Sequence, residues 1–211
     1  MKGFRIFGEY LFEYFVITML LVLSLALVLP FVPVYIGTIA YFMHKHDDRM
    51  LKDIFICIKE NLAIIIKFTI FELIILVTAF LNVYYFRTHT EGFNMVILVI
   101  SYVFLFLGVI FLAHAPMIII GMNVNLRKLI YNCFLFFFGG IANSVISILA
   151  LAGLVIATSY VPYIFIPLSY FVVLIVEYFT KKSFYVLKAK SLHISVHELM
   201  EKESQDAFFE E

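Results

Sequence analysis

Glu72 is the residue in this chain most able to do chemistry, because it is an acid set inside a long apolar run, 62–86. It falls about ten residues into that run, hence about 15 Å deep at helical rise. An acidic side chain at that depth of a bilayer costs about 2.5–3.5 kcal/mol on insertion scales. No basic residue stands three or four positions away, so a charged partner must come from another segment. His114 is one candidate, about 10 Å from the end of its own apolar run by the same rise. A buried acid and a buried imidazole have the chemistry of a proton or cation relay. A glutamate that is hydrogen-bonded and stabilises a helix bundle fits the same residues, and the sequence leaves both readings open.

Other polar residues in apolar surroundings have simpler accounts. Glu177 has Lys181 four residues on, a favourable helical pair. His114 precedes Pro116, which removes a backbone donor, and the imidazole could hydrogen-bond a carbonyl freed there. Asn143 sits in a stripe with Gly139 and Ser147, beside a second stripe of Gly140 and Ser144, at a spacing that permits close helix contact. General bundle packing is the favoured reading of these stripes over a dimer seam. His44, His46, Asp47 and Asp48 resemble a metal cluster, but two histidines two apart do not share a helix face. A solvated charged turn is the better reading, and no metal is expected. No Gly-rich phosphate loop, HExxH, GxSxG or CxxC pair occurs, so neither an enzyme nor a cofactor is expected.

The segments that must position these residues are apolar to an extent that fixes the class. The chain is 64% hydrophobic and 14% charged, with mean hydropathy +1.05. Soluble domains carry roughly 45–50% apolar and about 25% charged residues. A chain of 211 residues has too much surface per volume to hide such an excess from water, so lipid must cover it. Formal net charge is zero, which gives no reason to expect a nucleic-acid partner. Cys57 and Cys133 are expected as thiols in a reducing compartment.

Crossing hydrocarbon takes about 20 apolar residues as a helix. The runs 62–86, 95–120, 129–158 and 161–180 meet that length. The run 10–43 is too long for one span, and Pro30 and Pro33 interrupt it. A single crossing there would put Lys45, Arg49, Lys52 and Lys59 on the opposite side from Lys2 and Arg5, against the positive-inside rule. A hairpin out through 10–29 and back through a short 33–43 arm resolves this. Every Lys and Arg except Arg87 then falls on the cytoplasmic side, with Lys67 reaching back along its own stem. Tyr84, Tyr85, Tyr160 and Tyr163 fall at the outer interface. No small-x-small site follows the first run, so it reads as a retained span.

The expected fold is therefore all-α, a polytopic transmembrane helical bundle. It has five full-length spans, a short returning helix after Pro33, and both termini cytoplasmic. Residues 1–190 form one membrane domain of three hairpins, 10–43, 62–120 and 129–180. An interfacial segment, 44–61, includes a helix over 49–61 that carries Ile54, Phe55, Ile58 and Leu62 at helical spacing. Residues 191–211 form an acidic cytoplasmic tail, which opens with a capping box from Ser195 to Glu198.

Several stretches resemble the YesL family of bacterial integral membrane proteins, a domain of unknown function. Leu29-Pro30 followed by Pro33-Val34-Tyr35-Ile36-Gly37-Thr38-Ile39-Ala40-Tyr41 resembles its "LP…TIG…A-L-Y" signature. Residues 51–61, ending at Asn61, are similar to its "Kdff…fk-N" segment. Pro116-Met117-Ile118-Ile119-Ile120 with residues 126–132 is similar to its "fPLla…lk…l-knA" stretch. Tyr35 departs from the usual Thr or Val, and the surroundings of Gly37 lack the usual proline. The resemblance implies a multi-pass protein of the bacterial plasma membrane. By gene association it also implies an accessory role beside a sugar transporter permease or another membrane protein. It supplies no catalytic residue. On the residues alone, a small transporter or channel using Glu72 with His114 is the alternative.

Overall fold

The computed structural model describes the backbone of residues 2–27, 31–43, 50–88 and 91–192, and the side chains of 10–24, 31–43, 51–52, 54–88 and 91–189. Every regular element among them is helical. In order they are α1 (Lys2–Leu27), α2 (Phe31–Met43), α3 (Met50–Glu60), α4 (Leu62–Phe86), α5 (Phe93–Gly121), α6 (Leu126–Gly139), α7 (Ile141–Tyr160), a short 3₁₀ turn (Pro162–Ile164) and α8 (Phe165–Leu192). Four stretches, Leu62–Phe86, Phe93–Gly121, Ile141–Tyr160 and Pro162–Ala189, are long and apolar enough to cross a membrane. At most 39% of the residues in any of their apolar windows are buried within the chain. Ile74, Phe80 and Leu81 on α4, Val99 and Val103 on α5, and Leu149 and Val155 on α7 point outward instead. Only an apolar surrounding can cover that surface favourably.

Pro33 suits the start of the second helix. Pro33 falls in the first turn of α2, where no intrahelical donor is required; Pro30 lies outside the described residues. At thirteen residues, α2 is about 20 Å long, short of the roughly 30 Å hydrocarbon layer. Eight of its residues, Val32 and Tyr35 to Tyr41, are buried, so neighbouring helices enclose it. The Tyr41 hydroxyl donates to Glu13 Oε1 at 2.9 Å, joining α2 to α1.

α3 lies where the amphipathic segment was expected. Ile54 is buried and Ile58 half-buried, both over Gly37 of α2, while Phe55 and Leu51 face outward with Lys52 and Lys59. Gly37 is needed for that approach: a Cβ there would lie 2.9 Å from Ile54 Cγ2. Asn61 ends α3 and opens α4, its amide donating to the Cys57 carbonyl at 3.1 Å.

α5 is the centre of the bundle. It packs along α4 and α6 and also touches α2, α7 and α8. Its buried residues Ile110, Phe111, Ala113, Ala115 and Ile118 form one core with Ile65 and Phe68 of α4 and with Leu129, Cys133 and Phe136 of α6. A second core gathers Ile17 and Leu21 of α1, Tyr35 and Ile39 of α2, Ile54 of α3, and Val173 and Val176 of α8.

The expected single span 129–158 is corrected: it is two helices, α6 and α7, meeting at Gly140. Two adjacent glycines have low helix propensity, and glycine positions are common sites of helix breaks. The break also lets α8 come close, since a Cβ on Gly140 would lie 2.5 Å from Ser183 Oγ. The Ser144 hydroxyl bridges the break by donating to the Phe136 carbonyl at 3.3 Å. The last span extends well past the expected residue 180, because α8 continues to Leu192. The capping box at Ser195 and Glu198 lies outside the described residues.

Candidate functional site

Glu72 is the buried polar centre of α4, only 1% exposed. The helix presents it to α5 at Gly108, where the missing side chain leaves room for the carboxylate. A Cβ on Gly108 would lie 3.1 Å from Glu72 Oε1 and 2.6 Å from Leu76 Cδ2. From α6, Cys133 lies close enough to interact with it electrostatically. Among the described residues neither carboxylate oxygen has a hydrogen-bond partner. A buried polar group left unpaired is uncommon in folded proteins and calls for an explanation.

His114 is fully buried on α5, and among the described residues both ring nitrogens lack hydrogen-bond partners. Its ring leans on Phe136 of α6, with centroids 6.4 Å apart, and Phe136 in turn meets Phe184 of α8 at 5.8 Å. The expectation that His114 caps a carbonyl near Pro116 is corrected on the same ground, because neither nitrogen bonds a carbonyl among the described residues. α5 continues through Pro116 to Gly121.

Glu72 and His114 do not pair, contrary to the relay geometry considered from sequence. The reason is helical. Gly108, which faces Glu72, is six residues from His114, so the two positions point about 120° apart and differ by about 9 Å along α5. The carboxylate looks toward α5 at Gly108 and toward α6 at Cys133, and the imidazole toward Phe136.

Between α4 and α5, just beyond Glu72 along α4, lies a cavity of about 310 Å³. Its lining is mostly apolar, with Thr78, Asn82 and Ser101 as polar points. Ser101 lies seven residues from Gly108, close to two helical turns and on nearly the same face of α5. The cavity therefore follows the seam in which Glu72 sits.

The remaining sequence candidates take structural places. Glu177 and Lys181 form an ion pair at 3.8 Å on α8. Asn143 is half-buried, and its backbone carbonyl accepts from Ser147 Oγ at 3.2 Å. Gly139 packs on Leu187 and Gly140 on Ser183, so the small-residue stripes serve contact between helices of this chain. Cys57 and Cys133 are free thiols. Burial raises the Cys57 thiol above its ordinary range; a hydrogen bond from Asn61 opposes this, and the Glu60 charge adds to it. Among the described residues no three His, Cys, Asp or Glu side chains are placed to hold a metal. The histidine–aspartate turn at 44–48 lies outside them. Tyr84, Tyr85, Tyr160 and Tyr163 are all exposed, and Arg87 stacks over Tyr84 at 5.3 Å.

Sequence reasoning missed four participants. Glu13 was readable as an acid in an apolar run, but its Tyr41 partner depends on the hairpin. Gly108 and Cys133 carry no signal of their own and matter only because α5 and α6 bring them to Glu72. Ser183, buried with an unpartnered hydroxyl against Gly140, belongs with them. No family model, curated protein or solved structure matches this chain.

Proposed function

We propose that the chain is a non-enzymatic, multi-pass protein of the bacterial plasma membrane, of the YesL type, acting as an accessory or scaffold for transport. In this reading α1, α4, α5, α7 and α8 are five spans, α2 is a short returning helix, and α3 lies along the inner surface with both termini cytoplasmic. The observation that carries it is the pairing of lipid-length helices with outward apolar faces and very short described connections. Such a body has surface for membrane partners and little room for a soluble catalytic domain. The resemblance at Pro33–Tyr41, 51–61 and 116–132 links the role to carbohydrate uptake, with a sugar transporter permease as partner. Affinity purification of the tagged chain from its native membrane, followed by mass spectrometry, tests this. Stoichiometric recovery of a permease subunit supports the reading, and reproducible recovery of the chain alone overturns it.

A second reading is favoured by one observation: Glu72 is buried and has no hydrogen-bond partner among the described residues, and a cavity between α4 and α5 begins at Ile74, two residues further along its helix. A small transporter or channel would use that carboxylate to carry a proton or cation, since intramembrane acids are commonly placed for such work. His114 would act separately from it. Reconstituted Glu72→Gln tests the idea, because it keeps the shape and removes the charge. Lost flux with intact folding supports transport, and unchanged flux removes it.

A further inference from the structure

A second cavity of about 310 Å³ lies at the opposite end of α4, between its first two turns and the 122–125 loop. Its polar rim is Glu60, Asn61, Lys67, Asn123 and Asn125. Three of those five residues are amides, and the one cation is Lys67. Lys67 sits about 7.5 Å beyond Leu62 along the helix, inside an otherwise apolar run. Its side chain is exposed, and among the described residues no carboxylate lies within 4 Å of its ammonium. Asn125 uses its Oδ1 to accept the Lys128 backbone N–H at 3.0 Å, which leaves its NH₂ group as a donor. Asn61 donates to the Cys57 carbonyl and retains its own oxygen.

The charge around the groove is lopsided. Arg127 and Lys128 occupy the first turn of α6, which carries no acid, and both are exposed. Lys59 adds another cation on the last turn of α3. Lys67 and Glu60 are the charged residues that line the groove itself, and Lys59, Arg127 and Lys128, next in sequence to its ends, add positive charge nearby. An anion carrying several acceptor oxygens would offset that imbalance and take the amide donors together. The level is also defined: α3, with Leu51 and Phe55 outward beside its lysines, marks the boundary between an apolar layer and water.

We propose that this groove binds a phosphate group, presented by the headgroup of an anionic phospholipid, with Lys67 as its charged contact and the Asn123 and Asn125 amides as donors. The site is independent of Glu72 and of any transport by this chain.

Thermal unfolding of the delipidated full-length chain in neutral detergent tests it. Three additives are compared: dihexanoyl phosphatidylglycerol, glycerol phosphate, and dihexanoylglycerol, which lacks phosphate. The proposal expects a saturable rise in Tm with the phospholipid. Its half-saturation should move about ten- to a hundredfold higher in Lys67→Gln, the order expected for one lost charge-assisted hydrogen bond. Lys52→Gln, on α3 outside the groove, should behave as the parent chain. An equal rise with glycerol phosphate at equal concentration, lost in Lys67→Gln, keeps the phosphate site but overturns the lipid as its source. No rise with either phosphate compound, an equal rise with dihexanoylglycerol, or an unchanged Lys67→Gln response overturns the site itself.

Discussion

Glu72 of α4 rests against Gly108 of α5, so closely that a methyl group on the glycine would lie 3.1 Å from a carboxylate oxygen. The same methyl would meet Leu76 Cδ2 at 2.6 Å. Gly108→Val is therefore expected to force α4 and α5 apart and lower stability by about 1–3 kcal/mol, the usual cost of overpacking. Thermal unfolding in micelles checks this. Leu76→Ala should cost less on the Gly108→Val background than alone, because it clears the nearest clash; strict additivity would count against the contact.

Gly140 and Gly153 separate packing from propensity. Gly140→Ala meets Ser183 at Oγ, at Cβ, and at its Cα at 3.2 Å, and backbone cannot rotate away. The expected loss is about 1–3 kcal/mol. Gly153 has nothing within 4 Å of its Cβ position and lies inside α7. Gly153→Ala should be neutral or stabilising by up to about 1 kcal/mol, as a helix-interior glycine is replaced. Melting temperatures ordered the other way would contradict the described α7–α8 contact.

Gly37→Leu should release α3 from α2, since Ile54 and Ile58 occupy the space beside the glycine. The spans should stay folded while α3 loosens. Faster amide exchange over residues 50–60, with exchange in α4 and α5 unchanged, is the expected pattern. Equal protection in both chains would show that α3 is held by something other than this contact.

Cys57 should react slowly with a permeant maleimide near neutral pH. The thiolate is the nucleophile, and a thiol raised by burial has less of it at any given pH. The rate should keep rising with pH beyond the range in which an unshifted thiol levels off. Asn61→Ala removes a hydrogen bond that holds the thiol down, so it should slow labelling at neutral pH further. A plateau at the ordinary thiol range would contradict the burial of this sulfur.

Much of the helical layout was legible because the length of an apolar run is a direct physical requirement. The run 62–86 coincides with α4, and 95–120 falls within α5. The break at Gly140 was not legible, since a glycine pair serves equally for close packing within one helix or for ending it. What decides is the approach of Ser183 on α8, which no local pattern encodes. Glu72 could be picked out alone because a carboxylate among apolar residues is conspicuous on its own segment. Its surroundings could not, because Gly108 and Cys133 become neighbours only when three helices assemble. The separation from His114 has the same origin: depth follows from sequence position, but the facing direction follows from which side of α5 each neighbour takes.

The chain order of α4, α5 and α6 has a consequence for synthesis. Glu72 leaves the ribosome before Gly108, and Gly108 before Cys133, so in the membrane reading proposed above the acid enters the bilayer ahead of the segments that later enclose it. A nascent chain halted after Phe86 would present this carboxyl to lipid or to the insertion machinery, and only the arrival of α5 and α6 would withdraw it.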